Sequence, residues 1–286
     1  MPHHPALKTG SVAVITGGAS GIGLAAGQHF ARCGMHVVLA DRPGHALDDA
    51  VSDVQAAARE ASHTVQVLGE AVDVSQIDSL RNLKDRVVER FGHIGVLMNN
   101  AGVNGGAGTF EKPDRWRTLF DINFWGIVQS TQLFAPTMIA QSGPSAIINT
   151  GSKQGITNPP GDAAYNATKA AVKSFTESMA HELRHIEGCQ VSAHLLVPGF
   201  TYTGMSKARH ATRPDEAWTP AQVIERMDSQ LAHDDFYIIC PDNAVDEETD
   251  RKRVLWAAGD ITENRPALSR WHPDHADAFA AFMNNG

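Results

Sequence analysis

Tyr165 and Lys169 lie four residues apart in the stretch "YNATK", at the start of a predicted helix. Residues at this spacing share a helix face, so the phenol and the ammonium group are expected to point the same way. A nearby cation favours the phenolate and predicts a tyrosine pKa below its usual value of about 10. Such a tyrosine can act as a general acid or base on an alcohol or a carbonyl. Ser152 ends a predicted strand and offers a hydroxyl to the same substrate oxygen.

A second chemical pattern, "HELRH" at His181–His185, matches the zinc-protease signature H-E-x-x-H. The longer signature needs a further histidine where this chain has Val191, and a catalytic zinc site normally needs three protein ligands. On one continuous helix, His181 would lie roughly 24 Å from Tyr165 and about 160° around the axis. We interpret the match as the solvated end of a helix that stops near Gly188, and we predict no metal site. A zinc hydrolase is the remote alternative.

A glycine-rich turn, "TGGASGIG", follows the first predicted strand and opens a helix. Its glycines permit a tight turn, close approach of a pyrophosphate and close packing of helix on strand. The helix N-terminus then offers N–H groups and a positive dipole end to phosphate. We therefore predict a dinucleotide site at this turn. Its members are Gly17, Ser20, Gly21, Ile22 and Gly23.

Asp41 ends the second predicted strand and is followed by Arg42. A carboxylate at this position can bind both ribose hydroxyls of NAD and repel the additional 2′-phosphate of NADP. Arg42 could instead bind that phosphate. Because like-charge repulsion in a confined site should dominate, we favour NAD over NADP.

Short Val/Ile/Leu-rich runs alternate with amphipathic segments up to about residue 240. The predicted strands are 11–16, 36–40, 64–72, 95–99, 145–150, 191–197 and 236–240, and the predicted helices are 22–33, 45–61, 76–91, 114–141 and 162–187. Runs without strict alternation are typical of parallel strands covered on both faces. The pattern predicts an α/β fold: a doubly wound, seven-stranded parallel Rossmann sheet with helices on both faces.

We predict a single domain at residues 9–240, with a lid loop at 199–219, where Gly, Thr, Arg and Pro break the periodicity. Residues 241–286 are predicted to form a C-terminal helical extension. Pro136 should kink the helix predicted at 114–141.

Composition excludes several classes of protein. The net charge of −8, with no basic block, argues against nucleic acid and anionic membranes as partners. No apolar run is long enough to span a bilayer or to act as a signal peptide. The three scattered cysteines favour a reducing, cytoplasmic location.

Together these motifs resemble the short-chain dehydrogenase/reductase family over about residues 9–240. The matching positions, in order, are the glycine turn, Asp73-Val74, the NNAG motif Asn99-Asn100-Ala101-Gly102, Asn123, Ser152, the YxxxK pair Tyr165 and Lys169, and Pro198-Gly199 with Thr201 and Thr203. The family often has Ser-Ser near the catalytic serine, whereas Lys153 follows Ser152 here. We interpret Lys153 as a solvated or substrate-rim residue.

The resemblance implies roles for these residues in hydride transfer between NAD and an alcohol or ketone. Tyr165 would exchange the proton, Ser152 would bind the substrate oxygen, and Lys169 would lower the tyrosine pKa and hold the nicotinamide ribose. Asn123 would anchor a water molecule in a proton relay. The expected cofactor contacts beyond the glycine turn are Asp41, Arg42, Asp73, Val74, Asn100, Ala101, Gly102, Tyr165, Lys169, Pro198, Gly199, Thr201 and Thr203.

Three loops are expected to contact substrate: 103–110, 154–161 and 200–219. Their apolar residues favour an apolar or aromatic alcohol or ketone; these are Val103, Phe110, Ile156, Pro159, Pro160, Phe200, Tyr202, Met205 and Trp218. Apolar surface on the helices 114–141 and 162–187, together with the resemblance, implies a homodimer or homotetramer. A protein that binds NAD(H) without catalysis, as a sensor or scaffold, is the alternative.

Overall fold

The computed structural model describes residues 3–207 and 210–284. Seven parallel strands form one sheet in the order β3-β2-β1-β4-β5-β6-β7. The strands are β1 Val12–Thr16, β2 His36–Asp41, β3 Val67–Ala71, β4 Ile94–Asn99, β5 Ser145–Thr150, β6 Val191–Val197 and β7 Tyr237–Ile239. The strand order reverses between β1 and β4, so the predicted doubly wound sheet is confirmed. The predicted third and seventh strands are each shorter in the structure.

Helices cover both faces of the sheet. They are α1 Gly21–Arg32, α2 His45–Glu60, α3 Ile77–Phe91, α4 Pro113–Phe120, α5 Gly126–Ala140, α6 Gln154–Thr157, α7 Ala163–Leu183, α8 Gly204–Lys207, α9 Pro220–Leu231, α10 Glu247–Thr262 and α11 Ala276–Asn284. Alternate residues of β1 face opposite sides: Ile15 packs with residues of α1, α2 and α9, whereas Val14 packs with residues of α3, α5 and α7. Both sides of each central strand are thus buried, which explains why these strands are apolar without alternation.

The helix predicted at 114–141 is present as a continuous helical run at Pro113–Ala140, but it is not a single α-helix. Two α-helices, α4 and α5, are separated by a π-helical turn at Asp121–Trp125. Buried Asn123 lies in this turn. A π-turn widens a helix locally and is frequent at functional sites, but it leaves no periodicity that sequence analysis can detect. Pro136 lies within α5.

The helix predicted at 162–187 ends earlier, at Leu183. His185 therefore lies beyond the helix. Tyr165 and His181 do share one continuous helix, as the estimate of their separation assumed. The predicted lid at 199–219 is also more ordered than a loop, because it contains α8 and a bridge between Thr201 and Trp218. Residues 208 and 209 of that lid, like 285 and 286 of the predicted extension, lie outside the described residues.

Beyond β7, α10 and α11 pack around one aromatic side chain. The Trp256 ring centroid lies 5.3 Å from that of Phe279 and 5.2 Å from that of Phe282. The guanidinium of Arg265 stacks over the Trp256 ring at 4.0 Å, and the indole N–H donates to the Ser269 hydroxyl over 2.8 Å. Within the described residues, no helix is long and apolar enough to cross a membrane.

A chain of buried polar side chains joins the middle of the sheet to the helices on one face. Asn99 Nδ2 donates to Asn149 Oδ1 over 2.8 Å and to Thr131 Oγ1 over 3.1 Å. Asn149 Nδ2 donates in turn to Thr176 Oγ1 on α7 over 3.0 Å. These bonds fix α5 and α7 against the ends of β4 and β5, where the predicted site residues lie.

Asn149→Leu should lower the free energy of unfolding by about 1–3 kcal/mol, because Asn99 and Thr176 each lose a buried hydrogen-bond partner. Urea denaturation measures the change. Asn82→Leu, on the exposed face of α3, is the control and should change stability by no more than about 0.5 kcal/mol. Equal effects of the two substitutions would show that the polar chain contributes nothing.

Candidate active site

The glycine turn after β1 is too crowded for side chains. Gly17 and Gly21 have φ of +66° and +56°, which favour glycine. A Cβ on Gly23 would lie 2.1 Å from the Gly17 carbonyl oxygen, and one on Gly17 would lie 2.7 Å from Ala101 Cα. The turn therefore presses against both the start of α1 and the loop after β4.

The N-terminus of α1, which follows the glycine turn directly, has N–H groups available to bind a ligand. Ser20 is its N-cap residue, and the first N–H groups of a helix, here near Ile22, have no acceptor within the helix. The Asp41 carboxylate lies beside this turn: Ala19 N donates to Oδ2 over 2.9 Å and Arg42 N donates to Oδ1 over 2.8 Å. The side chain of Arg42 is exposed. A cradle without side chains, bordered by helix N–H groups and a carboxylate, fits a dinucleotide.

Asn100 of the NNAG motif ties the glycine turn to β5. Its Nδ2 donates to the Gly17 carbonyl over 3.1 Å, and its Oδ1 accepts from Thr150 Oγ1 over 3.4 Å. Gly102 approaches Asn123, since a Cβ there would lie 3.3 Å from Asn123 Oδ1. The motif thus connects the predicted cofactor site to the strand that precedes Ser152.

Asp73 and Val74 follow β3. Asp73 is exposed and accepts from the backbone N–H and the hydroxyl of Ser75 over 2.9 and 2.7 Å. Val74 is buried against Gly126, where a Cβ would meet its side chain at 3.1 Å. Val74 thus packs under the N-terminus of α5, while Asp73 faces solvent.

Tyr165, Ser152 and Lys169 meet at the end of β5. Burial raises the pKa of Tyr165, a hydrogen bond with Ser152 lowers it, and the charge of Asp162 raises it further. The expectation that Lys169 depresses this pKa is wrong here because burial dominates. Burial also lowers the pKa of Lys169 to about 8. Its Nζ donates to the Thr150 carbonyl over 2.7 Å and lies 5.7 Å from the centre of the Tyr165 ring.

Asn123, in the π-turn, binds the loop that follows the NNAG motif. Its Oδ1 accepts from Val103 N over 2.8 Å, and its Nδ2 donates to the Val103 carbonyl over 2.9 Å and to Thr168 Oγ1 over 3.4 Å. The side chain therefore joins the loop 103–110, which is expected to contact substrate, to α7, which carries Tyr165 and Lys169.

The segment after β6 closes the site on the side of the glycine turn. A Cβ on Gly21 would lie 3.2 Å from the Thr203 side chain. Thr203 N donates to Ser206 Oγ over 2.8 Å, and the Pro198 carbonyl accepts from Lys153 N over 3.4 Å. Thr203 thus borders the predicted cofactor site, while Pro198, earlier in the same segment, contacts the residue after Ser152.

A sequence profile of the short chain dehydrogenase family matches residues 11–214. This chain belongs to the short-chain dehydrogenase/reductase family. The 1-deoxy-11-beta-hydroxypentalenate dehydrogenase of Streptomyces exfoliatus is 31% identical over 265 residues, which cover 91% of this chain and 93% of that protein. The 3-oxoacyl-(acyl-carrier-protein) reductase FabG of Thermotoga maritima is 33% identical over 199 residues, covering 69% and 77%.

A solved structure shares the whole architecture. The short chain dehydrogenase/reductase from Burkholderia phymatum, in complex with NAD, has a TM-score of 0.79 and 31% sequence identity to this chain. The match covers 90% of this chain and 96% of that one. The predicted family and fold are therefore confirmed.

Asp162 is a site residue of this short-chain dehydrogenase that sequence analysis missed. It caps α7 by accepting from Tyr165 N over 3.3 Å, and its other oxygen accepts from Gly106 N over 3.0 Å. A Cβ on Gly105 would lie 2.2 Å from its carboxylate. An aspartate directly before a helix is an N-cap signal that could have identified it.

The HELRH histidines do not form a metal site in the described structure. The rings of His181 and His185 lie 4.4 Å apart on the surface, and His185 Nδ1 contacts the His181 carbonyl at 2.7 Å. Among the described residues, two groups bring three possible metal ligands together, and neither contains His181 or His185. The groups are His3 with His29 and Cys33, and His4 with His194 and Asp234. Sequence analysis missed both groups because their members are far apart in the chain.

The two groups differ in charge. Burial lowers the pKa of His29, but hydrogen bonds with Asp228 and Cys33 outweigh it and raise this pKa to about 9, so His29 is a cation at neutral pH. Burial lowers the pKa of His4 and His194, which are therefore neutral.

Lys169→Met should stabilise the cofactor-free protein by about 1–3 kcal/mol at pH 7, because folding then buries no ammonium group. The folded pKa of about 8 lies below the reference value of 10.5, so the unfolded chain binds more protons between these values. Wild-type stability therefore rises through this interval and the advantage of the variant should vanish near its upper end. Urea denaturation across this pH range measures both. Lys173→Met, on the same helix but more exposed, should show no such pH-dependent gain, and a gain there would contradict the burial account.

Gly23→Ala should destabilise the protein by about 1–3 kcal/mol and weaken NADH binding, because the new Cβ would meet the Gly17 carbonyl. Gly27→Ala, one turn further along α1, is the matched control: its Cβ would meet the flexible end of Leu39 at 2.9 Å. Thermal unfolding and NADH fluorescence titration compare them. Normal NADH binding by the Gly23 variant would contradict the proposed contact of the turn with the cofactor.

Proposed function

We propose that this chain is an NAD-dependent oxidoreductase that interconverts an apolar or aromatic alcohol and its ketone or aldehyde, with Tyr165 as the general acid/base. One observation carries the proposal: a line of hydrogen bonds runs from the glycine turn through Asn100 and Thr150 to Lys169, one turn from Tyr165. This line holds the predicted cofactor cradle and the predicted proton donor in one rigid unit.

The cofactor would supply the hydride, and the chain would supply its position. The glycine turn and the N-terminus of α1 would bind the pyrophosphate, and Asp41 would bind the adenosine ribose. Because the Asp41 carboxylate is fixed by two backbone N–H groups, it cannot readily move aside for a 2′-phosphate. This fixed negative charge favours NAD over NADP.

Tyr165 would exchange the proton at the substrate oxygen. Its raised pKa keeps the phenol protonated at neutral pH, which suits donation to a ketone oxygen. Ser152 interacts with the same phenol and would hold the substrate oxygen beside it. The pKa of Lys169 is lowered to about 8, which is close enough to neutral pH for this residue to gain and lose a proton during turnover. Asn123 would hold the loop that covers this proton path.

The surroundings of Tyr165 support an apolar substrate. Tyr165 packs beside Val103 and Trp116 in a cluster with buried alanine and leucine side chains. Across the site, Phe200 and Met205 are partly exposed. Asn104 Nδ2 donates to the Met205 carbonyl over 3.3 Å, so the two substrate loops already touch. Phe110, expected to contact substrate, is fully exposed to solvent.

Assembly and location form a further part of the proposal. Trp125, in the π-turn, exposes 47% of its surface and lies on one of the helices for which subunit contact is expected. We propose a homodimer or homotetramer. Cys33, Cys189 and Cys240 are free thiols, which suits a cytoplasmic protein.

Tyr165→Phe should reduce turnover by about 10²–10⁴-fold and change the Kd of NADH far less, because the variant loses the hydroxyl that donates the proton but keeps the rest of the cofactor site. Consumption of NADH with a panel of aryl and alicyclic ketones measures turnover. Tyr237→Phe is the matched control, since Tyr237 bonds to Glu177 on the surface. Undiminished turnover by the Tyr165 variant would refute its role. Tight NADH binding with no turnover by the wild type on any ketone would favour a non-catalytic sensor.

A further inference from the structure

Lys153, directly after Ser152, belongs to a buried ion cluster, and its interpretation as a solvated residue is wrong. Its side chain is 18% exposed, and Nζ lies 2.6 Å from Asp250 Oδ2 and 3.5 Å from Asp242 Oδ2. The carboxylates are 9% and 8% exposed. Neither aspartate has a role in hydride transfer, and both follow β7, in the part of the chain beyond the predicted dehydrogenase domain.

The cluster joins three parts of the site. The Lys153 backbone N–H donates to the Pro198 carbonyl over 3.4 Å. Asp242 Oδ2 accepts from Phe200 N over 3.1 Å. Asp250 lies in α10, which packs against α6. Lys153 thus connects the catalytic serine, the 198–200 loop and the first helix after β7.

The loop lies directly against these charges. A Cβ on Gly199 would lie 2.7 Å from Asp242 Oδ2 and 2.9 Å from Lys153 Nζ. The backbone at Gly199 therefore packs closely against Lys153 and Asp242, and Asp250 holds Lys153 from the other end of the ion pair. Thr203, four residues further along the same segment, contacts Gly21 of the glycine turn, so this segment links the charges to the cofactor cradle.

Stability alone gives no reason for this arrangement. Two carboxylates share one ammonium group in a poorly solvated place, and burial raises the pKa of Asp250 while Lys153 lowers it. A buried ion pair is commonly no more stabilising than apolar side chains of similar size. The ion cluster does constrain geometry, because each charged group must lie close to its partner.

We propose that Lys153 is a positioning residue: held by Asp250 and Asp242, it fixes the 198–200 loop relative to Ser152, so that α10 sets the geometry of the cofactor site. The inference rests on the proposed function, in which that loop contacts the cofactor. Lys153 itself touches neither cofactor nor substrate in this account.

Asp250→Asn tests the inference, with Asp260→Asn as its matched control. Asp260 forms another buried ion pair in the same C-terminal region, with Oδ1 3.1 Å from Arg265 Nε and side chains 13% and 14% exposed, but it does not contact the 198–200 loop. Both variants should lower the Tm. At a temperature well below each Tm, Asp250→Asn should raise the Kd of NADH by about tenfold, and Asp260→Asn should leave it within about twofold.

A double variant provides a second test in case the single charge change in Asp250→Asn prevents folding. Lys153→Met with Asp250→Leu removes an opposite pair of charges together and should regain much of the lost Tm, since neither partner is left buried and unpaired. The Kd of NADH should nevertheless stay raised, because the loop has lost its anchor. Restored NADH affinity in the double variant would overturn the inference.

The outcomes separate the two claims. The positioning role alone would be overturned by one result: wild-type protein binds NADH, and Asp250→Asn and Asp260→Asn both lower the Tm but leave the Kd of NADH unchanged. Wild-type protein that binds neither NADH nor NADPH would overturn the proposed function and the inference with it. A raised Kd confined to the Asp250 and Lys153 variants supports both.

Discussion

The structure depends on one steric constraint, the absence of side chains where the glycine turn meets its neighbours. A Cβ at Gly23 would overlap the Gly17 carbonyl, and one at Gly17 would overlap Ala101. The turn can therefore lie directly between β1, the start of α1 and the loop after β4. This contact brings Asn100 within reach of both the turn and Thr150, and Thr150 in turn accepts a hydrogen bond from Lys169.

Buried polar groups then extend this constraint across the sheet. Asn99 and Asn149 form a hydrogen bond at the ends of β4 and β5, and Thr176 connects them to α7, the helix that carries Tyr165 and Lys169. A buried amide without a partner is costly, so each bond restricts the position of the next element. Lys169 is held in the same way by Thr150, which explains how an ammonium group remains buried beside Tyr165. These buried side-chain hydrogen bonds supplement the apolar packing of the sheet at this edge.

The sheet and its order could be predicted because strands buried on both faces leave continuous apolar runs. The glycine turn and the Tyr165–Lys169 pair could be predicted because their chemistry lies within a few residues of sequence. Three features could not. The π-turn has no periodic signal, the pKa of Tyr165 depends on burial that only the fold creates, and Lys153 finds its carboxylate partners far along the chain. Each depends on contacts between distant segments.

Equilibrium titration of the wild-type protein with NADH and with NADPH, followed by ligand fluorescence, tests the central claim that the glycine turn and Asp41 form an NAD site. The account predicts a Kd for NADH at least about tenfold lower than that for NADPH, because the fixed carboxylate binds ribose hydroxyls and repels a 2′-phosphate. Tighter binding of NADPH would show that Arg42 outweighs Asp41. No binding of either would contradict the account as a whole.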